Sequence, residues 1–244
     1  DALPISGMLL QAHGSSMSNY YGNINLDLLS KVPINAKRVL EIGCGSGRLG
    51  EAFKARSPSA QYFGIEKFQP AALEARTRLD DVLCIDLEQD LSLTQSLAPR
   101  FDALVFGDVL EHLQDPWHVL AELRHYIEPG GVCVACIPNV AHWSVLSGLL
   151  QGQWRYADEG LLDRTHLRFF TLDSAIDMFQ KAGWTVLDAS ATKLLPDHSQ
   201  SAMDAMLPAA MALGATEKKA RSDLSTYQWV IRALNGPDAV KTNV

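Results

Sequence analysis

Residues 38–48, Arg38-Val39-Leu40-Glu41-Ile42-Gly43-Cys44-Gly45-Ser46-Gly47-Arg48, put three alternating glycines directly behind a short apolar run. Val39, Leu40 and Ile42 suit a strand that is buried on both faces. Glycine weakens local order, so three of them at this spacing imply a backbone that needs positive φ or a close approach by a ligand. Ser46 is placed to cap a following helix, whose first N–H groups would then point at the turn. A strand that ends this way confines the chain to folds whose binding sites lie at strand ends.

A rival reading sits in the same residues. Gly45-Ser46-Gly47-Arg48-Leu49-Gly50 satisfies the dinucleotide pattern G-x-G-x-x-G. However, the turn begins one glycine earlier, at Gly43, and Glu41 lies just before it. A carboxylate there repels a pyrophosphate and attracts a cationic or amino-acid-like ligand. Glu41-x-Gly43-x-Gly45-x-Gly47 resembles motif I of the class I S-adenosylmethionine (SAM) methyltransferases. That resemblance implies that Glu41 lies near the aminoacyl end of SAM, with Gly43, Cys44, Gly45 and Gly47 along its path.

The 244 residues are 47% hydrophobic and 20% charged, which suits one globular domain. A net charge of −7 and a pI near 5.5 lack the basic footprint of a general nucleic-acid binder. No apolar run reaches membrane-spanning length and no signal peptide is visible. Cys133 and Cys136 lack a second pair, and strand spacing sends their thiols to opposite faces. Small buried hydrophobes in a reducing, cytoplasmic setting are expected.

Residues 1–18 read as a tail, with Met17 as the natural start and the preceding residues an expression leftover or a linker from a larger protein. The domain is expected over 19–235, with a tail at 236–244. Tyr20 and Tyr21 precede an amphipathic helix around Leu26 and Leu29; they are placed to close over a cofactor or to pack on the surface. Gln61–Ile65 is expected as the second strand, with Glu66 and Lys67 at its carboxyl end. A carboxylate there suits both hydroxyls of a ribose, in NAD enzymes as in SAM enzymes. Val82–Leu87 is the expected third strand, Phe101–Phe106 the fourth and Val132–Ile137 the fifth. Strand–helix alternation with short turns specifies an α/β fold: a three-layer, doubly wound, mostly parallel sheet of seven strands. Tyr227–Ala233 is expected as the antiparallel last strand, forming its edge.

The unit Asp108-Val109-Leu110-Glu111-His112-Leu113, followed by Pro129-Gly130-Gly131 and Pro138-Asn139, resembles the core of SAM methyltransferases that act on small molecules. In that family the acid at the position of Asp86 contacts the adenine amino group, and Leu87 would lie beside the base. The resemblance puts His112 on the cofactor side and Asp108 near the methionine moiety or the acceptor.

Residues 139–170 leave the repeat and carry His142, Trp143, Trp154, Arg164, His166 and Arg168. Such a segment beyond a cofactor-facing strand end suggests an acceptor pocket. Residues 162–171 resemble a signature of bacterial methyltransferases of glycan and secondary-metabolite pathways. Asp163, Arg164 and Arg168 equally suit pinning the segment to the sheet. Residues 193–225, rich in Met and Ala, suit a lid or a dimer contact.

The expected reaction moves the sulfonium methyl of SAM to a hydroxyl of a sugar or secondary metabolite, leaving S-adenosylhomocysteine. A hydroxyl acceptor needs a base. His142 is the first candidate, His166 the second, with Asp108 also in reach. No compact metal-ligand cluster is evident in the spacing. The expected partners are a small-molecule or glycan acceptor, not nucleic acid or a membrane span, with a homodimer or a larger multidomain protein also compatible. An NAD(P)-dependent oxidoreductase and a non-catalytic SAM-binding relative are the alternatives.

Overall fold

The computed structural model describes residues 24–89, 100–192 and 200–236. Its strands are β1 (Arg38–Ile42), β2 (Gln61–Ile65), β3 (Asp81–Leu83), β4 (Phe101–Gly107), β5 (Ile127–Pro138), β6 (Thr185–Thr192) and β7 (Gln228–Leu234). They form one sheet in the order β3-β2-β1-β4-β5-β7-β6. β1 to β5 run parallel, and β7 is antiparallel to both of its neighbours. The helices are α1 (Leu26–Lys31), α2 (Arg48–Arg56), α3 (Gln69–Ala75), α4 (Pro116–Arg124), α5 (Trp143–Leu150), α6 (Leu172–Lys181), α7 (Gln200–Ala212) and α8 (Glu217–Ser225). Leu110–His112 forms a single 3-10 turn after β4.

Alternation along the central strands divides the core in two. Leu40, Leu104, Phe106, Cys133 and Ala135 face α4 and α6 on one side. Val39, Val105, Val134 and Cys136 face α1 and α2 on the other. Cys133 and Cys136 are both buried and unbridged, on opposite faces as a pleated strand requires.

Local signals set the helix ends. Asp115 accepts from the His118 N–H at 3.0 Å and Pro116 opens α4. Thr171 and Ser174 form a capping box for α6, which Gly183 ends at φ +83. α6 buries Ala175, Met178 and Phe179, and Ile176 is half-buried. Of the three methionines in α7, Met203 is buried, Met206 half-buried and Met211 exposed.

Three further expectations are corrected. β7 does not form the edge: it is inserted between β5 and β6, and the edges are β3 and β6. β3 stops at Leu83, because Asp86–Gln89 closes into a turn. Ser46 is not the cap of α2; Gly47, left-handed at φ +80, takes that place without a side-chain bond. No helix among the described residues is long and apolar enough to cross a membrane.

The chain leaves β1 towards β2 and β3, then returns to place β4 on the other side. That reversal opens a crevice at the carboxyl ends of β1 and β4, where ligands of open α/β sheets bind.

Candidate cofactor and acceptor site

The glycine turn caps the carboxyl end of β1. Gly43, Gly45 and Gly47 have φ of +66, +52 and +80. The Gly43 and Cys44 N–H groups both donate to Ile65 O, at 2.8 and 3.1 Å, so the turn is folded over the tip of β2. A side chain at Gly43 would put its Cβ 2.5 Å from Val109 Cγ2. Cys44 packs its thiol against Gly64, where a Cβ would lie 2.4 Å from Sγ, which leaves its main chain as the part able to meet a ligand. Gly50, the last glycine of the dinucleotide-like pattern, has a packing reason: a Cβ would meet Tyr62 and Leu79 at 2.5 Å.

Glu66, at the tip of β2, is buried and holds the turn. Its Oε2 accepts from the Gly45 N–H at 2.9 Å and its Oε1 from the Phe68 N–H at 2.8 Å. Glu41 is buried beneath it. Burial pushes the Glu41 carboxyl up to about 8; the nearby Tyr62 hydroxyl offsets part of this, and Glu66 adds to it. Lys67 is exposed. Asp86 accepts from the Glu88 N–H at 3.1 Å, and Leu87 is part of the core. Tyr21 lies outside the described residues.

Asp108 follows β4 at φ +54, the one positive-φ residue other than glycine among the described residues. Its Oδ1 accepts from Gln228 Nε2. A non-glycine residue held in this region at a strand tip marks a place where geometry is imposed by the surroundings.

The next turn gathers groups that lie far apart in sequence. The Glu111 main-chain oxygen accepts from the Leu167 and Arg168 N–H groups at 2.8 and 3.0 Å, fastening the 139–170 segment to the 3-10 turn. The Glu111 side chain is buried, and neither carboxylate oxygen has a hydrogen-bond partner. His166 Nε2 lies 3.9 Å from Glu111 Oε1, and the His112 and His166 rings meet edge-on at 4.8 Å between centroids. Burial raises the Glu111 carboxyl well above the usual range, with Asp108 and then Asp163 adding to it. Burial lowers the His166 imidazole, helped by His112. Asp163 is held low, against its burial, by accepting from the Thr165 N–H at 2.7 Å and the Thr165 hydroxyl at 2.6 Å.

The pinning expected of the charged residues is partly realised. Arg168 donates to Gln114 O and lies over Trp117, whereas Arg164 pairs with Asp158 at the exposed surface. Asn139, noted in the sequence only as the end of the Pro138-Asn139 pair, does more. Fully buried, it donates to Asp223 O and Thr226 O, both at 2.7 Å, and accepts from the Ala141 N–H. It locks the end of β5 to the α8–β7 turn.

His142, the first candidate base, sits at a helix N-cap. It is fully buried between Trp143 and Tyr227 and caps α5, with Nδ1 2.8 Å from Ser144 Oγ and accepting from Ser144 N–H. Burial pushes it down to about 4, so it is a weak proton acceptor at neutral pH.

This architecture, with its glycine turn beside the switch point and acids on successive strand tips, is that of the class I methyltransferase fold. The family model described as a methyltransferase domain matches residues 20–189, and the chain belongs to that family. Among curated proteins, it is 28% identical over 166 residues to a ubiquinone biosynthesis O-methyltransferase of Cereibacter sphaeroides, covering 66% of each chain. The match therefore spans slightly less than two thirds of that relative's length. Among solved structures, it superposes on the plantazolicin methyltransferase BpumL in complex with SAH (TM-score 0.59, 16% identity, 93% of this chain and 91% of that one). It also superposes on magnesium protoporphyrin IX methyltransferase from Synechocystis with bound SAH (TM-score 0.54, 11% identity, 90% and 82%).

Proposed function

We propose that this chain is an O-directed methyltransferase that uses S-adenosyl-L-methionine and acts on a small-molecule hydroxyl, releasing S-adenosyl-L-homocysteine. The observation that carries it is the buried Glu66 carboxylate bonded to the Gly45 N–H, with three positive-φ glycines between two strand tips. This arrangement presents main chain to a ligand and keeps a carboxylate beside a ribose position.

In this reading Glu66 takes the ribose and Lys67 borders it. Asp86 and Leu87 take the adenine. Glu41 and Asp108 flank the methionine end, along the turn Gly43–Gly47. The acceptor enters between the 3-10 turn and the 139–170 segment, where His112 is half-buried and His166 lies against it. The acceptor oxygen attacks the sulfonium methyl carbon in line. The C–S bond breaks with its electron pair left on sulfur, and the hydroxyl proton passes to a base. His112 and His166 border that face. Similarity to a ubiquinone biosynthesis O-methyltransferase favours oxygen as the methylated atom. A sugar or a secondary metabolite remains the acceptor class.

Calorimetry with SAM, S-adenosylhomocysteine, NAD and NADP tests the cofactor, followed by labelled methyl transfer to phenols and sugars. Binding of the two sulfur nucleosides and labelling of an ether-forming acceptor are expected. A folded sample that binds NAD or NADP and neither SAM nor its product overturns the reading.

A further inference from the structure

Glu111, His112 and His166 each offer a ligand atom, and these atoms all lie within 4.8 Å of one another. We propose that they form a divalent-metal site of the zinc class, built from two imidazole nitrogens and one carboxylate.

The hydrogen-bond inventory supports this. The Thr165 hydroxyl has one proton, and its 2.6 Å bond to the Asp163 carboxylate uses it. His112 Nδ1 stands 3.1 Å from that hydroxyl oxygen and 3.2 Å from Thr165 O, both of which can then only accept. His112 Nδ1 therefore carries a proton. In the neutral ring the Nε2 lone pair is then exposed for ligation. His166 follows the same rule: its Nδ1 stands 3.3 Å from Leu161 O, a pure acceptor, so its Nε2 is also a lone pair. Outer contacts that fix the ligating tautomer in this way are characteristic of histidine metal ligands.

The third group completes the pattern. The Glu111 side chain is only 1% exposed, and no donor reaches either oxygen. Its nearest ring nitrogen, at 3.9 Å, is beyond hydrogen-bond range. Two ring lone pairs and a buried carboxyl group with no protein partner thus converge on one point, the donor set of a divalent-metal site. Zinc–ligand distances of about 2.0–2.2 Å put donors roughly 3.4 Å apart, so the widest separation contracts by roughly 1.4 Å on binding. Half-buried His112 leaves one side open, where water or an acceptor oxygen takes the fourth position.

The site adjoins the acceptor face of the proposed methyltransferase and rests on that reading only for its use, not for its existence. Protein stripped with a chelator and passed into chelator-free buffer is titrated with Zn2+ alone by calorimetry, and Co2+ loading is followed by visible absorption. One equivalent is expected. His112→Ala and His166→Ala should each weaken Zn2+ binding at least ten-fold and change the Co2+ spectrum. Exposed His118→Ala should change neither. Glu111→Gln should weaken binding similarly. If that variant does not fold, His112→Ala decides, because its ring is part-exposed and circular dichroism verifies the fold. No stoichiometric uptake by the wild type, or unchanged affinity and spectrum in both histidine variants, overturns the proposal. Metal uptake without methyl transfer leaves it standing and counts against the proposed activity instead.

Discussion

The Gly45 N–H and the Glu66 carboxylate meet at 2.9 Å across the tips of β1 and β2. Glu66 also accepts from the Phe68 N–H, so one side chain fixes both the glycine turn and the start of α3. Glu66→Ala leaves two main-chain donors without their acceptor. A loss of about 2–3 kcal/mol is expected from chemical denaturation, together with at least ten-fold weaker S-adenosylhomocysteine binding by calorimetry. Glu66→Gln, which keeps one acceptor oxygen, should recover part of the stability and less of the affinity. Wild-type affinity in Glu66→Ala would remove this residue from the ribose.

Gly43 and Val109 form a second test, because the positive φ and the contact penalise a side chain separately. In Gly43→Ala the new Cβ would sit 2.5 Å from Val109 Cγ2 at φ +66. Destabilisation of about 2–3 kcal/mol is expected. Adding Val109→Ala removes the clash and leaves the backbone strain, so the double-mutant cycle should show a favourable coupling of at least ~1 kcal/mol. A coupling near zero would mean that the turn moves as a whole.

What was legible in the sequence follows the range of the signal. The glycine turn and the strand tips carrying Glu66 and Asp108 are local patterns, and the structure places them as expected, as it forms the local caps at Asp115 and Thr171. The insertion of β7 between β5 and β6 is not local: the pairing of Val230 with Cys136 and with Ser190 depends on how a long return connection packs. The place of His142 was not legible, because a capping histidine and a catalytic one look alike in a loop and the sequence does not show its burial. Glu111 was visible beside His112, but its relation to His166 comes from a main-chain tie to residues 56 and 57 positions further on. No spacing rule spans such a gap.

Glu41 gives stability a pH dependence with a definite sign. Its carboxyl sits at about 8 in the fold, against an ordinary value of 4.5, chiefly because it is buried. Between those limits the folded protein keeps a proton that the unfolded chain releases. The contribution is therefore fully present below pH 4.5 and is lost as pH rises towards 8. Glu41→Gln does not titrate and should flatten that part of the curve. Relative to the wild type, the variant should gain up to ~4 kcal/mol between pH 4.5 and 8, by denaturation at a series of pH values. Parallel curves would show that Glu41 ionises in the fold as it does in the open chain.

Asp108 separates charge from shape. It holds φ +54 and accepts from Gln228 Nε2, and asparagine can do both. Asp108→Asn should therefore keep stability within about 1 kcal/mol of the wild type, roughly what one hydrogen bond contributes. The variant loses only the negative charge beside the proposed methionine end. SAM carries an ammonium and a sulfonium, so affinity for SAM should fall more than affinity for S-adenosylhomocysteine, which lacks the sulfonium charge. Calorimetry with both nucleosides measures the two losses, and labelled methyl transfer should drop at least ten-fold. Equal affinities with full turnover would place the carboxylate away from the reacting centre.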